Sequence, residues 1–113
     1  MQHQMKLSAE PFEKIWTGKK VIESRLYDEK RKQIFLGDEI EFSENDNSES
    51  KVNTKVVELL RYNSFQELFR NHNPSLFGGE DKESLLQEIK QFYSDEDEQK
   101  YGVVGIRVRL LEI

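Results

Sequence analysis

The segment Gly18-Lys19-Lys20-Val21-Ile22-Glu23-Ser24-Arg25 brings together three side chains whose types and spacing can do chemistry. In an extended strand alternate side chains share a face, so Glu23 and Arg25 project together and Ser24 points away. Lys20 lies three residues before Glu23 and has the wrong parity for that face. It joins the other two only if the strand starts after a bend, which Gly18 permits. An Arg offers a planar fork of donors and a Lys a mobile point charge. The pair therefore suits a phosphate or a carbonyl, with Glu23 orienting Lys20 or accepting from a base amine. A second chemistry is hydrolytic: a Lys with a lowered pKa acts as base or nucleophile, and a carboxylate relays the proton to a leaving amine. The third reading is a plain cross-strand ion network, worth about 0–1 kcal/mol at a surface.

The elements that must position these residues can be read on either side. Residues 4–7 form a short first strand. Ser8 is a helix cap, with Glu10 and Pro11 in the first turn where both are favoured. Phe12, Ile15 and Trp16 recur at helical spacing, which predicts a core stripe that includes Trp16, and the helix stops at Gly18. A strand follows over 20–26, then a charged turn over 27–32. Residues 38–43 alternate as a half-buried strand, with Ile40 and Phe42 inward, after the Gly37-Asp38 turn. Residues 44–50 contain no apolar side chain and predict an exposed hairpin loop. A long strand over 51–62 is expected to be bent or bulged, because its apolar pattern slips at Val56-Val57 and at Leu59-Leu60.

Ser64 caps a short helix with Phe65, Leu68 and Phe69 inward, and 72–79 is a loop. The clearest helix spans 81–93, with Leu85, Leu86, Ile89, Phe92 and Tyr93 on one apolar face. Ser94 opens another short, acid-rich helix that ends near Gly102. The last strand, from Val103, alternates Val104, Ile106, Val108 and Leu110 with Arg107 and Arg109 on a basic outer face. Five or so strands interrupted by helices, without regular strand-helix-strand crossovers, argue against a doubly wound parallel sheet. A single α+β domain over 1–113, a small β-barrel of five or six strands with helices packed around it, is expected.

Composition narrows the function classes. With no cysteine, neither a disulfide framework nor a thiolate metal site exists. His3 and His72, the two histidines, have no carboxylate at a helical metal-binding spacing, so no metal and no cofactor is expected. Gly78-Gly79 lacks the following Lys-Ser or Lys-Thr of a phosphate loop. A polar start and the absence of any apolar run near the roughly 20 residues of a membrane span lead us to expect a soluble, cytoplasmic protein. The net charge of -5 argues against an indiscriminate grip on nucleic acid. That charge is uneven: residues 14–32 hold seven basic side chains against three acidic, and residues 80–98 eight acidic against two basic. The acidic runs read as solvated faces. The basic segment overlaps the motif.

The spacing G-x-K-x-x-E-x-R resembles the signature of the ASCH domain, a branch of the PUA-like superfamily. The likeness continues through Leu26-Tyr27-Asp28-Glu29-Lys30-Arg31, Leu36-Gly37-Asp38-Glu39-Ile40-Glu41-Phe42, Phe92-Tyr93-Ser94 and Tyr101-Gly102-Val103-Val104-Gly105-Ile106. It implies the same β-barrel, and it implies that RNA or a nucleoside-like or nucleotide-like ligand is bound at Gly18, Lys20, Glu23 and Arg25. Tyr27 beside the motif can stack a base, and Arg107 and Arg109 are expected to widen the basic rim. Some bacterial relatives are amidohydrolases that deacylate the exocyclic amine of cytidine with a Lys, a Thr and a Glu. The Lys falls on Lys20, the Thr on Glu23, which departs from the pattern, and the Glu on Glu80, with Glu83 as second choice. A third class is a protein interaction module using the acidic segment 80–98. A monomer or weak dimer is expected.

Overall fold

One sheet curls on itself and carries every helix. In the computed structural model, which describes residues 1–111, the strands are β1 (Gln2–Leu7), β2 (Ile22–Leu26), β3 (Glu39–Glu44), β4 (Asn47–Tyr62) and β5 (Val103–Leu110). Their order is β1-β3-β4-β5-β2. β1 runs parallel to β3 and every other neighbour is antiparallel. The helices are α1 (Ala9–Trp16), α2 (Phe65–Arg70), α3 (Lys82–Ile89) and α4 (Asp95–Tyr101). The result is a five-stranded half-barrel with four helices packed around it, the α+β architecture expected.

Alternation along the strands feeds two cores. Val104, Ile106 and Val108 of β5 pack with Met5, Leu7, Ile40, Phe42 and the α1 residues Phe12 and Ile15. Val103 joins Ile22, Leu26 and the helix residues Phe65, Leu68 and Leu85 in the second core. β4 serves both because of a bulge: Val56 pairs with Val108 and Glu58 with Arg107, which leaves Val57 as the extra residue, 43% exposed. Before the bulge Val52 and Val56 face the first core. After it Leu59 does, while Leu60 and Tyr62 face the second. The slip at Val56-Val57 is this bulge, and the register runs on without a break through Leu59 and Leu60.

α2 lies close on the sheet at Gly105, where a Cβ would meet Leu68 Cδ1 at 2.9 Å and Ile22 Cγ2 at 3.1 Å. Ser64 caps α2 by accepting from the Glu67 N–H, and Glu98 of α4 accepts from the Phe65 N–H at 2.6 Å and from Lys90 Nζ at 2.6 Å.

Several expectations change. Trp16 is 56% exposed; Phe12 and Ile15 fill the core-facing side of the two-turn helix, and the indole tilts against the Phe12 ring at 5.9 Å. The helix expected over 81–93 ends at Ile89, Phe92 is 69% exposed, and Tyr93 folds back to stack on Phe65 at 5.5 Å. The hairpin expected as a seven-residue loop is a turn at Asn45 and Asp46, and β4 already begins at Asn47. Glu98, read within a solvated acidic run, is buried because it holds the end of α2 and Lys90 together. No helix of the described residues is long and apolar enough to cross a membrane.

Candidate functional site

α1 ends at Trp16, Gly18 with a φ of +79° then turns the chain, and the Lys20 N–H bonds to the Lys14 carbonyl at 3.0 Å. Lys20 therefore precedes β2, which starts at Ile22, and is free of the strand's parity. Its ammonium lies 2.9 Å from Glu23 Oε1, while Arg25 Nε donates to Glu23 Oε2 at 2.7 Å. The bend needed to bring Lys20 to Glu23 and Arg25 is present.

These three residues form the charged side of a cavity of about 320 Å³. Lys14 lies beside them, donating to the Gly78 carbonyl at 2.7 Å and pairing with Glu10 at 3.0 Å. The opposite wall is apolar and aromatic, built by Phe69, Phe77, Leu85, Ile89, Phe92 and Tyr93 from α2, α3 and the segments that follow them. Gly78 ties the two walls together. Its φ is +80°, and a Cβ there would lie 3.1 Å from both Lys14 Cδ and Lys20 Cβ. The Val21 N–H donates to the Leu76 carbonyl at 2.9 Å, which holds the Pro74–Phe77 turn against the root of β2.

Burial alone would push the Glu23 carboxyl up, but the Lys20 ammonium and the Arg25 guanidinium, both hydrogen-bonded to it, hold it down to about 2. At Arg25 burial acts to lower the pKa, and Glu23 with the neighbouring Tyr93 outweighs it, so the pKa is raised. Both Glu23 oxygens are occupied, so the carboxylate is an anchor. Lys20 and Arg25 keep further N–H groups, although one Arg25 donor, Nη2, is spent on the Lys6 carbonyl at 3.1 Å. The site is a set of positioned donors opposite aromatic rings. It suits a flat ligand with carbonyl oxygens, ring nitrogens or a phosphate at its edge.

The other residues expected in the site are elsewhere. Gly18, Tyr27, Glu80, Arg107 and Arg109 are not among those lining the cavity. The Tyr27 ring is covered by the Arg61 guanidinium, 3.8 Å from its centroid. Arg107 stands 3.8 Å from Glu58, and Arg109 faces Lys55 across β5 and β4. Glu80 is exposed. Sequence reasoning missed Lys14 and Phe77. The signal for Phe77 was the apolar pair Leu76-Phe77 inside a polar loop. Among the described residues no cluster of three or more His, Asp or Glu side chains has metal-binding geometry.

The ASCH domain model matches residues 5–112. The chain belongs to the ASCH domain family. This ASCH domain is similar to the crystal structure of the hypothetical protein PH0355, with 38% identity and a TM-score of 0.86 over 98% of this chain and 100% of that one. It is also similar to the solution structure of protein PF0455 from Pyrococcus furiosus, at 37% identity and a TM-score of 0.76 over the whole of both chains. An ASCH domain from Lactobacillus crispatus shares the fold at 13% identity, with a TM-score of 0.63 over 96% of this chain and 79% of the other. No curated protein matches the sequence.

Proposed function

We propose that this ASCH domain binds RNA or a nucleoside-like ligand, with a base seated in the cavity between the aromatic wall and the cluster of Lys20, Glu23 and Arg25. One observation carries the reading: cationic donors fixed by a buried carboxylate line a cavity that also carries the exposed ring of Phe92 and the half-buried ring of Tyr93. A nucleobase has the matching anatomy, two apolar faces and an acceptor-bearing edge, and stacking on an aromatic side chain contributes about 1–3 kcal/mol per base. The hydrolytic reading has less support. Glu23 replaces the Thr hydroxyl, Glu80 is exposed and away from the cavity wall, and Lys20 is already engaged by Glu23.

The test is equilibrium binding of cytidine and of short single-stranded RNA to the wild type, Lys20→Ala and Arg25→Ala. Each substitution is expected to weaken binding about tenfold or more, as for the loss of a charge-assisted hydrogen bond. Unchanged affinity in both variants, or no binding by the wild type to either probe, overturns the reading.

A further inference from the structure

Beyond the cavity, on the far side of Arg25, lies a second groove of about 580 Å³ that shares Lys6 and Arg25 with it. Lys6, Arg25, Lys30, Arg31 and Lys51 line it against a single carboxylate, Glu41. In a protein of net charge -5 this is a local reversal of sign. Its construction is specific. Lys6 of β1 is in register with Ser43 of β3, and Ser43 with Lys51 of β4, so one row of residues crosses three strands. Lys30 and Arg31 come from the turn after β2.

The cations of this groove are incompletely neutralised. Lys51 stands 3.7 Å from Glu41, a loose pairing. Arg31 Nη1 bonds to Asp28 at 3.2 Å, but its buried Nε has no acceptor among the described residues. Lys6 and Lys30 have no carboxylate within 4 Å among the described residues. The serine hydroxyls of Ser43 and Ser48 also line the groove and add neutral donors.

We infer that this groove seats the phosphodiester backbone of a single-stranded RNA whose base occupies the cavity, with Arg25 at the junction. The inference rests on the proposed base-binding role of the cavity and names its ligand class. An uncharged nucleoside leaves these cations unused, whereas a chain leaving the cavity past Arg25 enters the groove lined by Lys6, Lys30, Arg31 and Lys51. Phosphate contacts of this kind position the strand and carry no sequence information. Base preference is left to the cavity.

The experiment compares a cytidine hexanucleotide, cytidine and inorganic tripolyphosphate as probes of the wild type, the double variant Lys30→Gln/Lys51→Gln, and Lys20→Ala. The double variant keeps the residues of the cavity wall and is expected to bind the hexanucleotide about tenfold more weakly, with cytidine affinity unchanged. The slope of log affinity against log salt should flatten by about 1.4, two contacts at about 0.7 each for a single strand. If the double variant binds the hexanucleotide as tightly as the wild type and with the same salt slope, the groove assignment is wrong while the cavity reading stands. If Lys20→Ala keeps full hexanucleotide affinity and the wild type ignores cytidine, the cavity reading fails on its own terms. If tripolyphosphate binds as tightly as the hexanucleotide and displaces it, the groove takes polyphosphate and the RNA assignment falls.

Discussion

Glu23 holds two cations at once, and its ionisation is tied to folding. Its folded-state pKa, about 2, lies below the 4.5 of an ordinary glutamate, so between those pH values the unfolded chain binds the extra proton. The carboxylate's contribution is complete above pH 4.5 and is lost as the pH falls toward 2. Glu23→Gln is therefore expected to lower stability by about 3 kcal/mol at neutral pH, since Lys20 and Arg25 lose their shared anion, and to flatten the acid limb of the stability curve. Urea denaturation at several pH values measures both, and parallel acid limbs in wild type and variant would remove Glu23 as the source. At this scale the sequence was informative. Strand parity put Glu23 beside Arg25, and the parity conflict at Lys20 correctly demanded a bend. Glu98 was not legible, because the amide that it satisfies, that of Phe65, lies 33 residues away and no local spacing marks it.

Among the elements, β4 carries the most consequence, because its bulge changes which residues face which core. If the strand ran regularly through Val57 instead of bulging, Leu59 would move to the face that Leu60 and Tyr62 now use, and the reverse. Deleting Val57 keeps the pairs Val56-Val108 and Glu58-Arg107 and the facing of Leu59 and Leu60, so the variant is expected to stay folded, seen as retained dispersed amide resonances, and Val57→Ser, at an exposed site, should stay within about 0.5 kcal/mol of wild type. A deletion variant that fails to fold would show that the bend of the bulge, and not only the register it sets, is needed. The bulge was legible because two adjacent valines break an alternating pattern. The early end of α3 was not, because the apolar repeat continues through Phe92 and Tyr93 while the backbone stops at Ile89. Tyr93 meets its aromatic partner Phe65 from outside the helix, and hydrophobic spacing alone cannot distinguish that from a longer helix.

Over the whole molecule the charge is sorted by the register of distant strands. The basic row Lys6, Ser43 and Lys51 exists because β1 runs parallel to β3, and nothing in the local sequence of any of the three announces it. This is why Arg107 and Arg109 looked like the basic rim: they were visible in one strand, while the groove is assembled from several. The same curl brings β2 and β1, the two ends of the sheet, close enough for Arg25 Nη2 to reach the Lys6 carbonyl. No backbone ladder joins those ends, so a side chain stands where a strand neighbour would be. An unguarded edge recruits strands from other molecules, and Arg25 occupies one of the acceptors such a strand would use. Arg25→Ala thus bares part of an edge as well as removing a residue of the proposed binding site. Self-association that grows with protein concentration, measured by sedimentation, is its expected signature, and Lys20→Ala, which leaves the clasp intact, should remain unaffected.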